Sequence, residues 1–184
     1  TVALKSNGTL WAWGENFVGQ MGTGSGSGSN VPVQVGVASD WAAVVAGGCH
    51  TVALKSNGTL WIWGGDLGGG TRVLSTVPAQ VGTATDWASI GAGFSHSLAS
   101  KVNGSVWAWG SNVFGQLGNG ESGLYSSPVR VGSDNDWKAV AAGEKQVVAL
   151  RTDSTRWGWG ETIGNGTLNT SCAPVQADYH TDWA

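Results

Sequence analysis

Residues 1–11, TVALKSNGTLW, return unchanged at 51–61. An exact repeat of this length means stacked copies of one small unit rather than a single irregular core. Looser copies run SLASKVNGSVW at 97–107 and VVALRTDSTRW at 147–157. After each copy come a second tryptophan and a glycine: Trp13-Gly14, Trp63-Gly64, Trp109-Gly110 and Trp159-Gly160. A further marker, Asp-Trp, stands at Asp40-Trp41, Asp86-Trp87, Asp136-Trp137 and Asp182-Trp183. A proline lies nine residues before each of these last tryptophans, at Pro32, Pro78, Pro128 and Pro174. All 12 tryptophans and all 4 prolines therefore occupy repeat slots.

The spacing has a finer order. Trp13 to Trp63 is 50 residues, Trp63 to Trp109 is 46, and Trp109 to Trp159 is 50 again. The difference lies in one loop. It reads WGENFVGQMGTG from Trp13 and WGSNVFGQLGNG from Trp109, but WGGDLGGG from Trp63 and WGETIGNG from Trp159. A duplicated long–short pair of units accounts for this alternation.

Within each unit, a run such as TVALKS alternates with period two, the mark of a half-buried strand. It ends in Asn7-Gly8, Asn57-Gly58 or Asn103-Gly104, the strongest short hairpin signal, because a type I′ turn needs positive φ at both central residues. Asp153-Ser154 fills the slot in the fourth copy, where a weaker turn is expected. The return strand is TLWAW, followed by a glycine-rich loop, a proline-led strand such as PVQVG, and a strand such as WAAVVAGG. Four short strands per unit without a helical pattern describe the blade of a β-propeller. The expected fold is all-β: one array over residues 1–184, built of four-stranded antiparallel blades, with the first and last blades incomplete. Two long and two short units would hold eight more residues than the chain has, corresponding to AVVAGGCH at 43–50. The four repeats are therefore expected to form an incomplete arc, not a closed ring. Such an arc belongs to a larger propeller or meets other copies edge to edge, since open edges invite strand pairing.

Composition narrows the function. Charged residues make up 11% of the chain, against roughly 25% in an ordinary domain. The net charge is −3 and the nine basic residues are scattered, which argues against nucleic acid or an anionic membrane as partner. No apolar run approaches the roughly 18 residues of a membrane span. Cys49 and Cys172 form no C-x-x-C pair and occupy different repeat slots. They read as buried or free thiols, with one disulfide as the alternative.

No catalytic, cofactor-binding or metal-binding residue is expected. His50 and His96 share a slot that Gln146 fills in the next copy, and blades set such residues around a ring instead of bringing them together. They read as strand-start residues bonded to backbone, and His180, outside the slot, as a surface residue. Asp40, Asp86, Asp136 and Asp182 read as turn residues bonding nearby backbone N–H groups. Gly64-Gly65 and Gly68-Gly69-Gly70 precede no helix and no Lys-Ser or Lys-Thr, so they are not a phosphate loop. Trp11 and Trp13 lie on one face of a strand, which suits either a sugar-stacking platform or packing between blades. Their recurrence in every copy favours packing, with at least nine of the twelve indoles mostly buried. A partner would meet residues that break the repeat. The candidates are Phe17, Val18, Phe114, Leu124 and Tyr125, in loops that also carry Met21, Val113 and Leu117; the variable segments add Arg72, Val73 and Leu74. Gln20-Met21 and Gln116-Leu117 read as structural.

The stretches AGGCHTVALKSNGTLWIWG from Ala46 and WGSNVFGQLG from Trp109 resemble the regulator of chromosome condensation repeat family over the whole chain. The resemblance implies a propeller, most often of seven blades. It also implies one of several roles: nucleotide exchange on a small GTPase, enzyme inhibition by a propeller face, light sensing, or bacterial surface display. The light-sensing motif G-W-R-H-T is here GGCHT at 47–51 and GFSHS at 93–97, without tryptophan or arginine. No insertion long enough for an exchange wedge is present, and no basic tail. The resulting expectation is a non-catalytic binding or scaffolding module of a larger bacterial protein, extracellular or on the cell surface, with a protein or glycan partner. A propeller enzyme with a channel site and an intracellular GTPase-regulating propeller are the alternatives.

Overall fold

The structure is a computed structural model that describes residues 1–65, 75–177 and 183. Among them there is no helix. The first sheet contains β1 (Val2–Leu4), β2 (Leu10–Gly14) and β3 (Ser29–Gln34) in that order. The second contains β4 (Trp41–Ala46), β5 (His50–Lys55), β6 (Leu60–Gly64) and β7 (Ser75–Gln80). The third contains β8 (Trp87–Ala92), β9 (His96–Lys101), β10 (Val106–Asn112) and β11 (Gly123–Arg130). The fourth contains β12 (Trp137–Ala142), β13 (Gln146–Arg151), β14 (Arg156–Gly160) and β15 (Ser171–Gln176). Each sheet is an antiparallel meander, and the inner strands β4, β8 and β12 follow one another around a common axis. The outermost strand of every sheet carries the repeat's proline. Pro32, Pro78, Pro128 and Pro174 deny a donor to any chain that would add to these edges.

The Asn-Gly turns are held by a small network. Asn57 Oδ1 accepts the Thr59 N–H at 3.1 Å and the Thr59 hydroxyl at 2.7 Å, and Thr59 Oγ1 accepts the Trp61 indole N–H at 2.9 Å. The same chain of bonds recurs around Asn7 and Asn103. In the fourth sheet Asp153 takes the asparagine's part, accepting the Thr155 hydroxyl and N–H, which hold its carboxyl below the usual range, while Thr155 Oγ1 accepts the Trp157 indole N–H. Ser154 there adopts φ +63° in the glycine's place. The glycine itself answers two demands. Gly58 has φ +75°, and a Cβ on it would stand 2.1 Å from the Thr85 carbonyl oxygen of the crossover to the next blade. The Asn-Gly pair is thus a turn signal and a blade-packing signal at once.

Blades pack by pressing the tryptophan face of one sheet onto the aliphatic face of the sheet before it. Leu10, Ala12, Met21 and Val35 of the first blade bury Trp41, Ala53 and Trp63 of the second. Val52, Leu54, Leu60 and Ile62 bury Trp87, Ala99 and Trp109 of the third. Leu98, Val106, Ala108 and Leu117 bury Trp137, Val147 and Trp159 of the fourth. The long loops add a clamp. The Gln20 carbonyl accepts the Trp63 indole N–H at 3.1 Å and the Thr51 hydroxyl at 2.9 Å, and the Gln116 carbonyl accepts the Trp159 indole N–H at 3.0 Å. Gly22 and Gly118 lie flat against these two rings, where a Cβ would come within 2.6–2.8 Å. Trp41, Trp63, Trp87, Trp109, Trp137 and Trp159 are buried; Trp11, Trp13, Trp61, Trp107 and Trp157 are half-buried; Trp183 alone is exposed. The indoles are packing residues, as their recurrence suggested.

The arc has two open faces. Among the described residues no inner strand pairs with β1, and no backbone hydrogen bond joins the first sheet to the fourth. Val148 is 40% exposed, while its counterparts Val52 and Leu98, covered by a following blade, are at 0%. Cys49 and Cys172 are free thiols. Truncating Trp159 to alanine is expected to cost about 3–5 kcal/mol, the usual range for a large buried aromatic. Trp13→Ala, on the open face, should cost less than half as much. Urea denaturation of the two variants beside the parent checks this, and equal losses would contradict the packing described.

Candidate functional site

The meander sorts the connections to two ends. At one lie the Asn-Gly turns and the crossovers between blades, locked together by bonds such as Trp41 N–H to the Gly8 carbonyl at 3.2 Å. At the other lie the loops between first and second strands, near the axis, and the variable loops between third and fourth strands, farther out. Gly65, Ser111 and Glu161 N–H groups donate to the carbonyls of Cys49, Ser95 and Lys145 at 2.8, 2.8 and 3.1 Å, which ties the variable loops of the second, third and fourth blades to the axial loops of their own blades. The axial loops are tied to one another by Gly48 N–H to the Phe94 carbonyl at 3.1 Å and Phe94 N–H to the Glu144 carbonyl at 3.3 Å. Variable side chains of the second, third and fourth blades therefore stand on a hydrogen-bonded run of backbone.

Those side chains include exposed apolar groups. Phe17 and Val113, equivalent positions of the two long loops, are each 67% exposed, and Phe94 on the axial ring is 56% exposed. Their sequence neighbours Val18 and Phe114 are half-buried. The Phe114 ring lies 4.7 Å from Lys145 Nζ, which also pairs with Glu161 at 3.5 Å. Leu124 is exposed at the start of β11. Tyr125 beside it is half-buried, and its hydroxyl donates to the Glu121 carboxylate, which raises its pKa. Of the five candidates, Phe17 and Leu124 thus present their side chains fully, and the other three in part. Phe94 and Lys145 were not legible as site residues, because they sit in the A-G-x-x-H frame that reads as purely structural. Arg72, Val73, Leu74, His180 and Asp182 lie outside the described residues.

Two residue classes have roles other than expected. Asp40 and Asp86 bind cations rather than backbone N–H groups: Lys55 at 3.0 Å and Lys101 at 2.9 Å, with Arg151 beside Asp136 at 3.5 Å. Each cation rests between two indoles, Lys55 at 5.1 and 4.9 Å from Trp41 and Trp61, and Arg151 at 4.7 and 4.0 Å from Trp137 and Trp157. The repeated Asp-Trp therefore closes a cation-and-indole cluster at the turn end. His50 bonds a side chain, with its Nε2 2.9 Å from the Ser97 hydroxyl of the next blade. His96 occupies the same slot one blade on, but Val147 replaces the hydroxyl, and neither of its ring nitrogens has a partner among the described residues. The described residues contain no group of three or more His, Cys, Asp or Glu side chains placed to hold a metal.

A family model described as regulator of chromosome condensation (RCC1) repeat matches residues 7–54 and 103–150, and a second of the same description matches 87–116. Among curated proteins none matches the chain. Among solved structures, a chain in the structure of Kap60 bound to yeast RCC1 (Prp20) is similar at 20% identity and TM-score 0.84, over 98% of this chain and 47% of that one. Prp20p of Saccharomyces cerevisiae, studied with its binding to Gsp1p and histones, gives 20%, 0.83, 98% and 49%. Human WBSCR16 gives 19%, 0.82, 95% and 48%. These likenesses show the propeller fold, and the chain spans about half the length of each of these structures.

Burial, and then the nearby His50, lower the pKa of His96 from 6.5 to about 4. The folded state thus resists a proton that the unfolded chain accepts, so stability should fall as the pH drops from about 6.5 towards 4. The His96 contribution is roughly 3 kcal/mol at most. His96→Gln, the residue of the equivalent slot at Gln146, should remove this part of the acid sensitivity. Urea melts of parent and variant at pH 7 and pH 4 measure the difference; identical pH profiles would refute the assignment.

Proposed function

The chain belongs to the regulator of chromosome condensation repeat family, and from that premise we propose that it is a non-catalytic propeller module that takes up a protein partner on its loop end. The observation that carries this reading is the exposure of Phe17, Phe94 and Val113 on one end of the blades, with Phe94 and Val113 on backbone tied by the axial bonds and Phe17 beside Asn16, whose side-chain amide holds its loop through the Ser25 and Ser27 carbonyls. Exposed aromatic side chains on a rigid support are typical anchors at protein interfaces, because little conformational entropy is lost when they are covered. The turn end offers no equivalent. Its inner aromatic side chains are occupied by Lys55, Lys101 and Arg151, and among the described residues its exposed apolar groups are Val37, Val102 and Trp183, the last with Arg156 4.9 Å from its ring.

The fold neighbours support the class of partner, not its identity. The yeast structures name Kap60, Gsp1p and histones, all proteins. A glycan platform has less support, since eleven of the twelve indoles are buried or half-buried in packing. With a net charge of −3 and few charges of either sign, apolar contact rather than charge would carry the affinity.

The test is capture of a protein from native extract by immobilised chain, compared with the Phe17→Ser/Phe94→Ser double variant. Both rings are exposed, so the variant should melt close to the parent while capture falls at least about tenfold. Capture unchanged by the double substitution would remove the loop end as the binding surface.

A further inference from the structure

In the second, third and fourth blades the second strand opens on a polar side chain roofed by a glycine of the axial loop. His50 Nε2 stands 2.9 Å from the Ser97 hydroxyl of the next blade, and Gln146 Oε1 accepts the Lys145 N–H at 3.1 Å. His96 is as deeply buried as His50, at 1% exposure. Val147 fills the place of the hydroxyl, however, and neither ring nitrogen has a partner among the described residues. Gly93 lies flat on the ring: a Cβ there would come 2.1 Å from His96 Cε1 and 2.5 Å from the Gly143 carbonyl oxygen of the next blade. A neutral imidazole is accommodated in this apolar slot. An imidazolium has two N–H donors, and here neither meets an acceptor.

No carboxylate is bonded to the ring to offset such a proton. The sheet neighbours of β9, which are β8 and β10, carry no titratable side chain. From the preceding blade, β5 brings His50 to this end and keeps Lys55 at the other with Asp40; β9 likewise keeps its own Lys101 there with Asp86. From the following blade, β12 and β13 hold an exposed Lys138 and Arg151 at the turn end, and the axial loop between them carries Glu144 and Lys145. Lys145 pairs with Glu161 at 3.5 Å. None of these groups is hydrogen-bonded to the His96 ring.

The ring supports the turn above it. Gly93 N–H donates to the His96 carbonyl at 2.8 Å, which closes the turn that carries the exposed Phe94. The Phe94 carbonyl accepts the Gly48 N–H at 3.1 Å, the Phe94 N–H donates to the Glu144 carbonyl at 3.3 Å, and the Ser95 carbonyl accepts the Ser111 N–H at 2.8 Å. This one turn therefore links the axial loops of three blades and the variable loop of its own. We propose that His96 is an acid-operated latch: a proton taken from solvent by its second ring nitrogen drives the ring out from between the third and fourth blades and opens the Gly93–His96 turn that positions Phe94. The consequence for a partner rests on the loop end being the binding face: acid withdraws the Phe94 anchor while the rest of the fold stays closed.

Native-state hydrogen exchange reads the latch with no partner present. With the His96 pKa at about 4 in the closed turn and 6.5 in the open one, the opening equilibrium at the Gly93 and Phe94 amides should rise about thirtyfold between pH 7.5 and pH 5, once intrinsic exchange rates are corrected for. The Gly104 amide, bonded in the turn end, should not follow. His96→Gln should abolish the rise. Val147→Ser, which supplies the hydroxyl that His50 already meets, should reduce it several-fold. An opening equilibrium flat with pH in the parent, a rise that persists in His96→Gln, or an equal rise at Gly104, which reports unfolding of the whole chain, would each overturn the latch. Capture from extract at the two pH values should fall at pH 5 with the parent and hold with His96→Gln. Equal falls in both would break the link to binding, and exchange decides the latch by itself.

Discussion

One contact organises this protein: an indole on one blade pressed into the aliphatic face of the blade before it. Trp63, Trp109 and Trp159 are at most 1% exposed because each is covered in this way. A blade alone has two apolar faces and cannot bury either, so its stability depends on its neighbours. The low charge of the sequence follows from this. Both faces of the second and third sheets, and one face of the first and of the fourth, are committed to packing, which leaves mainly edges and loop tips for polar groups.

That commitment divides the molecule into a constrained end and a free one. At the turn end, the Gly58 position is pressed by the Thr85 carbonyl, and the Lys55 position is fixed by two rings and a carboxylate. Little can change there without disturbing two blades. At the loop end amide bonds tie the backbone of the three axial loops, yet the exposed side chains at Phe17, Phe94 and Val113 contribute little to packing. The copies of the repeat differ most in sequence on that end, and it is there that the proposed partner would be met.

The fourth blade shows how the pattern bends. It replaces the Thr51 and Ser97 position with Val147, and the Leu60 and Ile62 positions with Arg156 and Gly158. Val147 leaves His96 without its hydroxyl partner. Gly158 makes room for buried Ile163, whose Cβ lies 3.1 Å from where a Cβ on the glycine would be. The short loop thus fills from above a space that Ile62 fills from within its own strand.

Repeat period, strand number, hairpin turns and the packing role of the tryptophans were all legible in the sequence, because each depends on local pattern repeated at a fixed spacing. The exposure of Phe17 and Leu124 was legible too, since both depart from that pattern. Other features depended on which strand lies beside which, and no spacing shows that. Asp40 reads as a turn residue until the sheet brings Lys55 and two indoles to it. His50 reads as a backbone-bonded residue until the next blade presents Ser97. Phe94 and Lys145 look like frame residues until the axial loops gather at one end of the blades. The sequence by itself determined the unit and its faces, since alternation and turn chemistry act over a few residues. Only the tertiary structure decided which side chains meet across blades and which are left to solvent, because those contacts join residues about 45 positions apart.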